Sequence, residues 1–156
     1  MLLDNVVDVV IETPGNSRNI YQVDAAGRVW FDRRLPGSFA YPADYGYLEG
    51  VTGTDGEPLD ALVLMPNPTY PGVRVRARVV DVFWIMTGHG REAKLVCVPD
   101  GDPAYRSVLD LDQLPEHQLR EIAHFFDVYR DLDPDKEVWC DGRDGAAVAL
   151  QVVHGR

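Results

Sequence analysis

The pattern of apolar and polar positions over the first hundred residues is rich in strand signals, and after Pro115 the spacing becomes helical. Val73–Met86 shows the strand pattern: Val73, Val75, Ala77 and Val79 alternate with Arg74, Arg76, Arg78 and Val80. Val6–Glu12 is apolar and β-branched. Ile20–Asp24 and Val29–Arg33 flank the turn Ala25-Ala26-Gly27, which predicts a hairpin. Leu62–Met65 and Lys94–Val98 complete the predicted strands. Pro115 opens a helix in which Leu119, Ile122, Ala123, Phe126 and Tyr129 recur at helical spacing. A weaker pattern over Ala146–Val153 predicts a terminal helix. Several strands with short turns in a small chain predict an α+β, mainly β fold: a closed or nearly closed barrel with one or two helices outside it.

With 156 residues, 46% of them hydrophobic, the chain suits one domain with a real core. No apolar run reaches the roughly 18 residues of a membrane span. The start, MLLDNVVDVVIE, is interrupted by Asp4 and Asp8 and has no basic n-region, so it does not read as a signal peptide. Cys97 and Cys140 make no CxxC pair, and Cys97, within LVCV, reads as a small core residue. The expectation is a soluble cytoplasmic protein. A formal net charge of −10 argues against a nucleic-acid partner. It leaves open a small phosphorylated substrate, provided divalent cations stand between the anions. Of 15 basic residues only Lys94 and Lys136 are lysines, so each merits attention.

The run TGTDGEPLDALVL places Asp55, Glu57 and Asp60 within six residues, with Gly53 and Gly56 free to take unusual backbone angles and Pro58 stiffening the turn. Carboxylates this close repel one another unless a cation joins them, and Mg²⁺ prefers such oxygen ligands. The alternative is a solvated acidic turn. A second acidic run, Asp131–Glu137, resembles the start of an EF-hand loop but has Lys136 at the sixth position and Gly142 at the twelfth, so it reads as a solvated turn. His117, Glu121 and His124 share one helix face and read as a subunit contact or surface polar cluster. Tyr41, Tyr45 and Tyr47, beside Arg33 and Arg34, offer neutral and charged donors to an anion, or simply pack in the barrel wall.

In order along the chain, VVIETP, FDRRL, AYPADYGYLEG, DGEPLDALVL, PGV, EAKLVCVP and HFFDVYRDL resemble the soluble family I inorganic pyrophosphatases, whose signature D-G-D-P-x-D stands here as DGEPLD. The resemblance covers nearly the whole chain as one domain, residues 1–156. It implies a five-stranded oligonucleotide-binding-like closed barrel, a homohexamer, and an active site at the barrel mouth. It also implies several Mg²⁺ ions, with Mn²⁺ or Zn²⁺ as alternatives, and in-line attack of a metal-activated water on diphosphate. By similarity, Glu12, Asp55, Asp60 and Glu92 would hold the metals and Glu57 would be the general base. Arg33, Lys94, Tyr129 and Arg130 would contact phosphate oxygens. Tyr45 would orient the catalytic groups, with Tyr41 close to the substrate.

The departures from the pattern are specific. Ile20 stands where the family has a phosphate-binding lysine, and Gln22 where it has an acidic neighbour. Glu57 and Glu92 replace aspartates, Thr87 replaces a metal-ligating aspartate, and Arg130 replaces a lysine. An added methylene matters because displacing a catalytic group by about 1 Å costs on the order of 10²-fold. His89 and Asp81 are candidate replacement ligands, Asp81 alternatively facing solvent. Two other functions compete with diphosphate hydrolysis: a hydrolase retuned to another phosphate or diphosphate ester, and a binding protein that keeps the barrel without turnover.

Overall fold

The computed structural model describes residues 4–130, 132 and 137–155. Eight strands run as β1 (Val6–Thr13), β2 (Asn19–Val23), β3 (Val29–Arg34), β4 (Asp44–Thr52), β5 (Pro58–Val63), β6 (Arg74–Thr87), β7 (Gly90–Pro99) and β8 (Trp139–Gly145). Helix α1 spans Glu116–Val128 and α2 spans Ala146–Val153. One sheet has the order β1-β4-β5-β7-β6-β8, and β1 also pairs with β6, which closes β1, β4, β5, β7 and β6 into a five-stranded barrel. The expected barrel is therefore present.

Closure depends on the length of β6. Its 14 residues serve two partners in succession: Arg74–Arg78 pair with β1, and after a bulge between Val79 and Asp81 the remainder pairs with β8. Alternation sorts the side chains into two cores. Val9, Ile11, Leu48, Ala61, Val63, Ala77, Val82, Leu95 and Cys97 come from all five barrel strands and fill the inside. On the other face, Leu62, Val80, Phe83, Val96 and Val98 pack against Leu119, Ile122, Phe125 and Phe126 of α1. Each such fully buried side chain contributes roughly 1.5–3 kcal/mol before conformational entropy is counted. Cys97 is a core residue, as expected.

Gly46 lets β4 lie against β1. A Cβ there would come within 1.8 Å of the Val10 carbonyl oxygen, so any other residue would push the strands apart. Asp44, buried at the start of β4, accepts hydrogen bonds from the Gly15 N–H at 2.8 Å and from the Thr69 N–H and hydroxyl at 2.9 and 2.5 Å. It ties two loops to the barrel. The β2–β3 hairpin stands apart as its own two-stranded sheet, its turn held by Asp24, which accepts the Ala26 and Arg28 N–H groups, each at 2.9 Å.

Two strands lack a period-two signal: β4, whose Tyr-Gly-Tyr centre mixes aromatic and glycine, and β8, whose sequence WCDGRDG is polar and mostly exposed. Both form because a neighbouring strand supplies backbone partners. Also, β5 starts at Pro58, ahead of the expected Leu62, and β7 starts at Gly90, ahead of Lys94. Of the EF-hand-like run, Asp131 and residues 133–136 lie outside the described residues.

Asp81 does not face solvent. It is fully buried opposite Val96 and Gly145, and among the described residues neither carboxylate oxygen has a hydrogen-bond partner. Burial pushes its pKa up to about 7; the nearby Val82 N–H and Arg143 offset this only in part, and Asp110 and Asp144 add to it. Between the ordinary value of 3.8 and about 7 the folded chain holds a proton that the unfolded chain releases. This stabilising contribution is complete below that window, declines as pH rises through it, and is gone above it. Asp81→Asn cannot ionise, so urea midpoints should match the parent near the acid end and exceed it by about 2–4 kcal/mol in stability at pH 8. A difference that stays constant with pH contradicts this assignment.

Candidate active site

The outer face of β5 and β7 forms the floor of a cleft of about 910 Å³. The β2–β3 hairpin supplies one wall through Ile20, Tyr21, Gln22, Asp32 and Arg33. The β6–β7 turn, with Thr87, Gly88 and His89, and the segment Glu137–Trp139 leading into β8 also line it, and Tyr129 and Arg130 come from the end of α1. The hairpin is fastened to β1, because the Tyr21 N–H donates to the Thr13 hydroxyl at 3.3 Å, and the Val23 N–H lies near the Glu12 carboxylate.

The floor centres on Lys94. Strands β5 and β7 run parallel with Asp60 and Lys94 in register, so alternation sends both side chains out of the barrel side by side. The Lys94 ammonium donates to Asp60 Oδ2 at 2.6 Å and to the Tyr45 hydroxyl at 3.1 Å, and lies 3.7 Å from Glu92 Oε2. Only 8% of its side chain is exposed. Burial pulls the Lys94 pKa down, but Asp60 and the other anions around it outweigh burial and leave the pKa raised, so the lysine stays charged. Burial, then Asp60, holds the Tyr45 phenol far above its usual range, so Tyr45 remains a neutral donor.

Glu12 is the second feature of the floor. Burial raises its pKa to about 7 against the opposing Val23 N–H, and the Asp60 and Asp32 carboxylates add to the rise. Glu12 thus meets two further carboxylates, Asp60 and Asp32, whose own cations are Lys94 at 2.6 Å and Arg33 at 3.9 Å. An all-oxygen set of this kind suits a hard divalent ion. Among the described residues no three His, Cys, Asp or Glu side chains converge into a closed metal site.

An aromatic layer supports the floor from behind. The Tyr41 ring lies 5.1 Å from that of Tyr45 and 4.9 Å from that of Phe125, and Phe125 stacks on Tyr129 at 5.1 Å. Tyr41 is buried, and burial raises its pKa well above the usual phenol value.

The family model for inorganic pyrophosphatase matches residues 9–155. This chain belongs to that family. It is 46% identical over 147 residues to an inorganic pyrophosphatase of Leifsonia xyli subsp. xyli, covering 94% of this chain and 90% of that one. It is 48% identical over 132 residues to one of Streptomyces coelicolor, covering 84% and 81%. The solved structure of an inorganic pyrophosphatase from Helicobacter pylori superposes with a TM-score of 0.92 at 37% identity, covering 97% of this chain and 91% of that one.

Within this pyrophosphatase cleft the structure gathers Glu12, Arg33, Tyr41, Tyr45, Asp60, Glu92, Lys94, Tyr129 and Arg130 on one lining. It does not bring Asp55 and Glu57 there. Both are exposed on the β4–β5 turn, where Asp55 Oδ1 accepts the Glu57 N–H at 3.0 Å and the Gly53 N–H donates to the Glu57 carbonyl at 2.7 Å. Thr87 lines the cleft, but its hydroxyl is engaged in its own turn, donating to the Gly90 carbonyl and accepting the His89 N–H, each at 3.1 Å. His89 lines the cleft and Asp81 does not. His117 and Glu121 form an exposed pair at 2.9 Å on α1 and lie outside the cleft lining, as does His124. Asp32, Tyr21, Val138 and Trp139 are cleft residues that periodicity misses, because the hairpin register shifts at Ile20/Tyr21 and β8 carries no alternating pattern.

Lys94→Met leaves Asp60 and Glu92 without their internal cation. Loss of a partner from a fully buried pair costs about 3–5 kcal/mol. Here Asp60 is 35% exposed and shares its charge with water, so about 1–2 kcal/mol is expected by urea unfolding at pH 7. An unchanged midpoint would show that the pair does not hold the floor together.

Proposed function

We propose that the protein hydrolyses inorganic diphosphate to two phosphates in the cleft centred on Lys94 and Asp60. The observation that carries this reading is a buried, charged lysine in contact with carboxylates on the cleft floor, in a chain of the inorganic pyrophosphatase family. Lys94, Arg33, Tyr129 and Arg130 bind phosphate oxygens and draw charge away from the departing phosphate. Tyr45 accepts a hydrogen bond from Lys94 and helps fix the direction of its ammonium. Tyr41 backs Tyr45 and shields the substrate side of the floor.

Enzymes of this family depend on divalent metal. In this chain Glu12, Asp60 and Glu92 would hold the ions from the cleft, while Asp55, which the family pattern adds to that set, stands outside the lining on the β4–β5 turn; Mg²⁺ is the proposed ion, with Mn²⁺ or Zn²⁺ able to replace it. When bound, such ions neutralise phosphate charge and lower the pKa of the attacking water. Glu57, which stands at the family's general-base position, is exposed on the same turn as Asp55 and would have to take a proton from there. No helix among the described residues is long and apolar enough to cross a membrane. We further propose one domain over residues 1–156, a homohexameric assembly and a cytoplasmic location.

Phosphate release from diphosphate should appear with Mg²⁺, Mn²⁺ or Zn²⁺ and stop on chelation by EDTA. No release with any of the three overturns the reading. Asp60→Ala should lower kcat on the order of 10²-fold or more while the protein remains folded. A folded Asp60→Ala protein with parental turnover would move the chemistry elsewhere.

A further inference from the structure

The cleft is larger than inorganic diphosphate alone needs, and part of its largely polar lining is apolar. Its volume of about 910 Å³ is near the upper end of the roughly 300–1,000 Å³ that holds drug-sized ligands. The groups suited to phosphate and cations lie on the floor, at the α1 end and, through Arg33, on the hairpin wall. The flanks carry a different chemistry: Ile20 from β2, and Val138 and Trp139 at the start of β8. None of these three can ligate a cation, and neither aliphatic side chain can donate to phosphate. Trp139 is 46% exposed, an indole held against water in a cleft wall. Its backbone is fixed by pairing with Met86 of β6, so the ring stands on a rigid element.

We propose that this flank binds the organic part of a diphosphate monoester, and that the ligand class it fits is a nucleoside diphosphate. The diphosphate would lie between Lys94 on the floor and Arg33 on the hairpin wall, and the base would stack on Trp139, with Ile20 and Val138 as apolar flanks. An exposed planar indole favours a planar partner, since base–aromatic stacking needs only a π-face. The acidic surface disfavours a nucleic-acid polymer but not one nucleotide whose charge is met by cations. The inference rests on the reading of the floor as a diphosphate seat. Its consequence is that a nucleoside diphosphate competes with inorganic diphosphate.

The test is calorimetric titration of the full chain, in Mg²⁺, with ADP, with methyl diphosphate and with a short-chain alkyl diphosphate, alongside inhibition of phosphate release from diphosphate. ADP should bind about tenfold more tightly than methyl diphosphate, within the range of one stacked base. Trp139→Ala should erase that advantage, and Trp139→Phe should restore much of it. Hydrolysis of inorganic diphosphate should stay within about twofold of the parent in both variants, which lack no phosphate or cation contact. Three results overturn the inference: equal affinity for ADP and methyl diphosphate in the parent, an advantage that persists in Trp139→Ala, or an alkyl diphosphate that matches ADP. If methyl diphosphate also fails to bind, the diphosphate reading of the floor falls with it. Methyl diphosphate binding without an ADP advantage sinks this inference alone.

Discussion

The cleft depends on the parallel register of β5 and β7. Because side chains alternate along a strand, that register puts Asp60 and Lys94 on one face and Ala61 and Leu95 on the other. A slip of one residue would turn a lysine and an aspartate into the barrel and two core residues out of it, a cost that strongly selects one pairing. The same residues that fill the barrel therefore fix the chemistry outside it. Lys94 is charged and nearly buried, a state that is tolerable only because Asp60, Tyr45 and Glu92 surround its ammonium. Stability and function draw on one constellation.

Charge is distributed unevenly over that floor. Lys94 answers Asp60 and Glu92, whereas Glu12 feels Asp60 and Asp32 with a single backbone N–H in compensation. One side of the cleft is thus short of positive charge and the other offers guanidinium and ammonium groups. A polyanion bridged by divalent ions satisfies both halves at once. This also resolves how a chain of net charge −10 can take an anionic substrate. The aromatic layer of Tyr41, Tyr45, Phe125 and Tyr129 couples the floor to α1, so the end of the helix that brings Tyr129 and Arg130 to the cleft is packed against the strands that carry the carboxylates.

Much of the fold was legible in the sequence because β6 and α1 obey simple periods that match one buried face each. The strands that escaped notice are those whose residues serve other ends: the Tyr-Gly-Tyr centre of β4 admits close approach to β1, and β8 is an exposed edge ordered by its neighbour. The site was legible more through motif order than through local spacing. Asp55, Glu57 and Asp60 look alike as a run, but a turn and a strand separate their fates, and only Asp60 lines the cleft. Asp32 and Trp139 reach the cleft through a register shift in the hairpin and an edge pairing, neither of which leaves a mark in one sequence. Asp81 was equally opaque, since a lone aspartate in a β-rich run reads as solvated until its neighbours are known.

The account stands on the claim that diphosphate and its ions meet on the Asp60–Lys94 floor. The most direct measurement is a crystal structure of the full chain with Mg²⁺ and a methylene-bridged diphosphate analogue. The account predicts phosphonate oxygens against Lys94, Arg33 and Tyr129, with cations between them and the Glu12 and Asp60 carboxylates. An analogue bound away from this floor, or cations confined to the β4–β5 turn with Asp60 and Glu12 unligated, would contradict it.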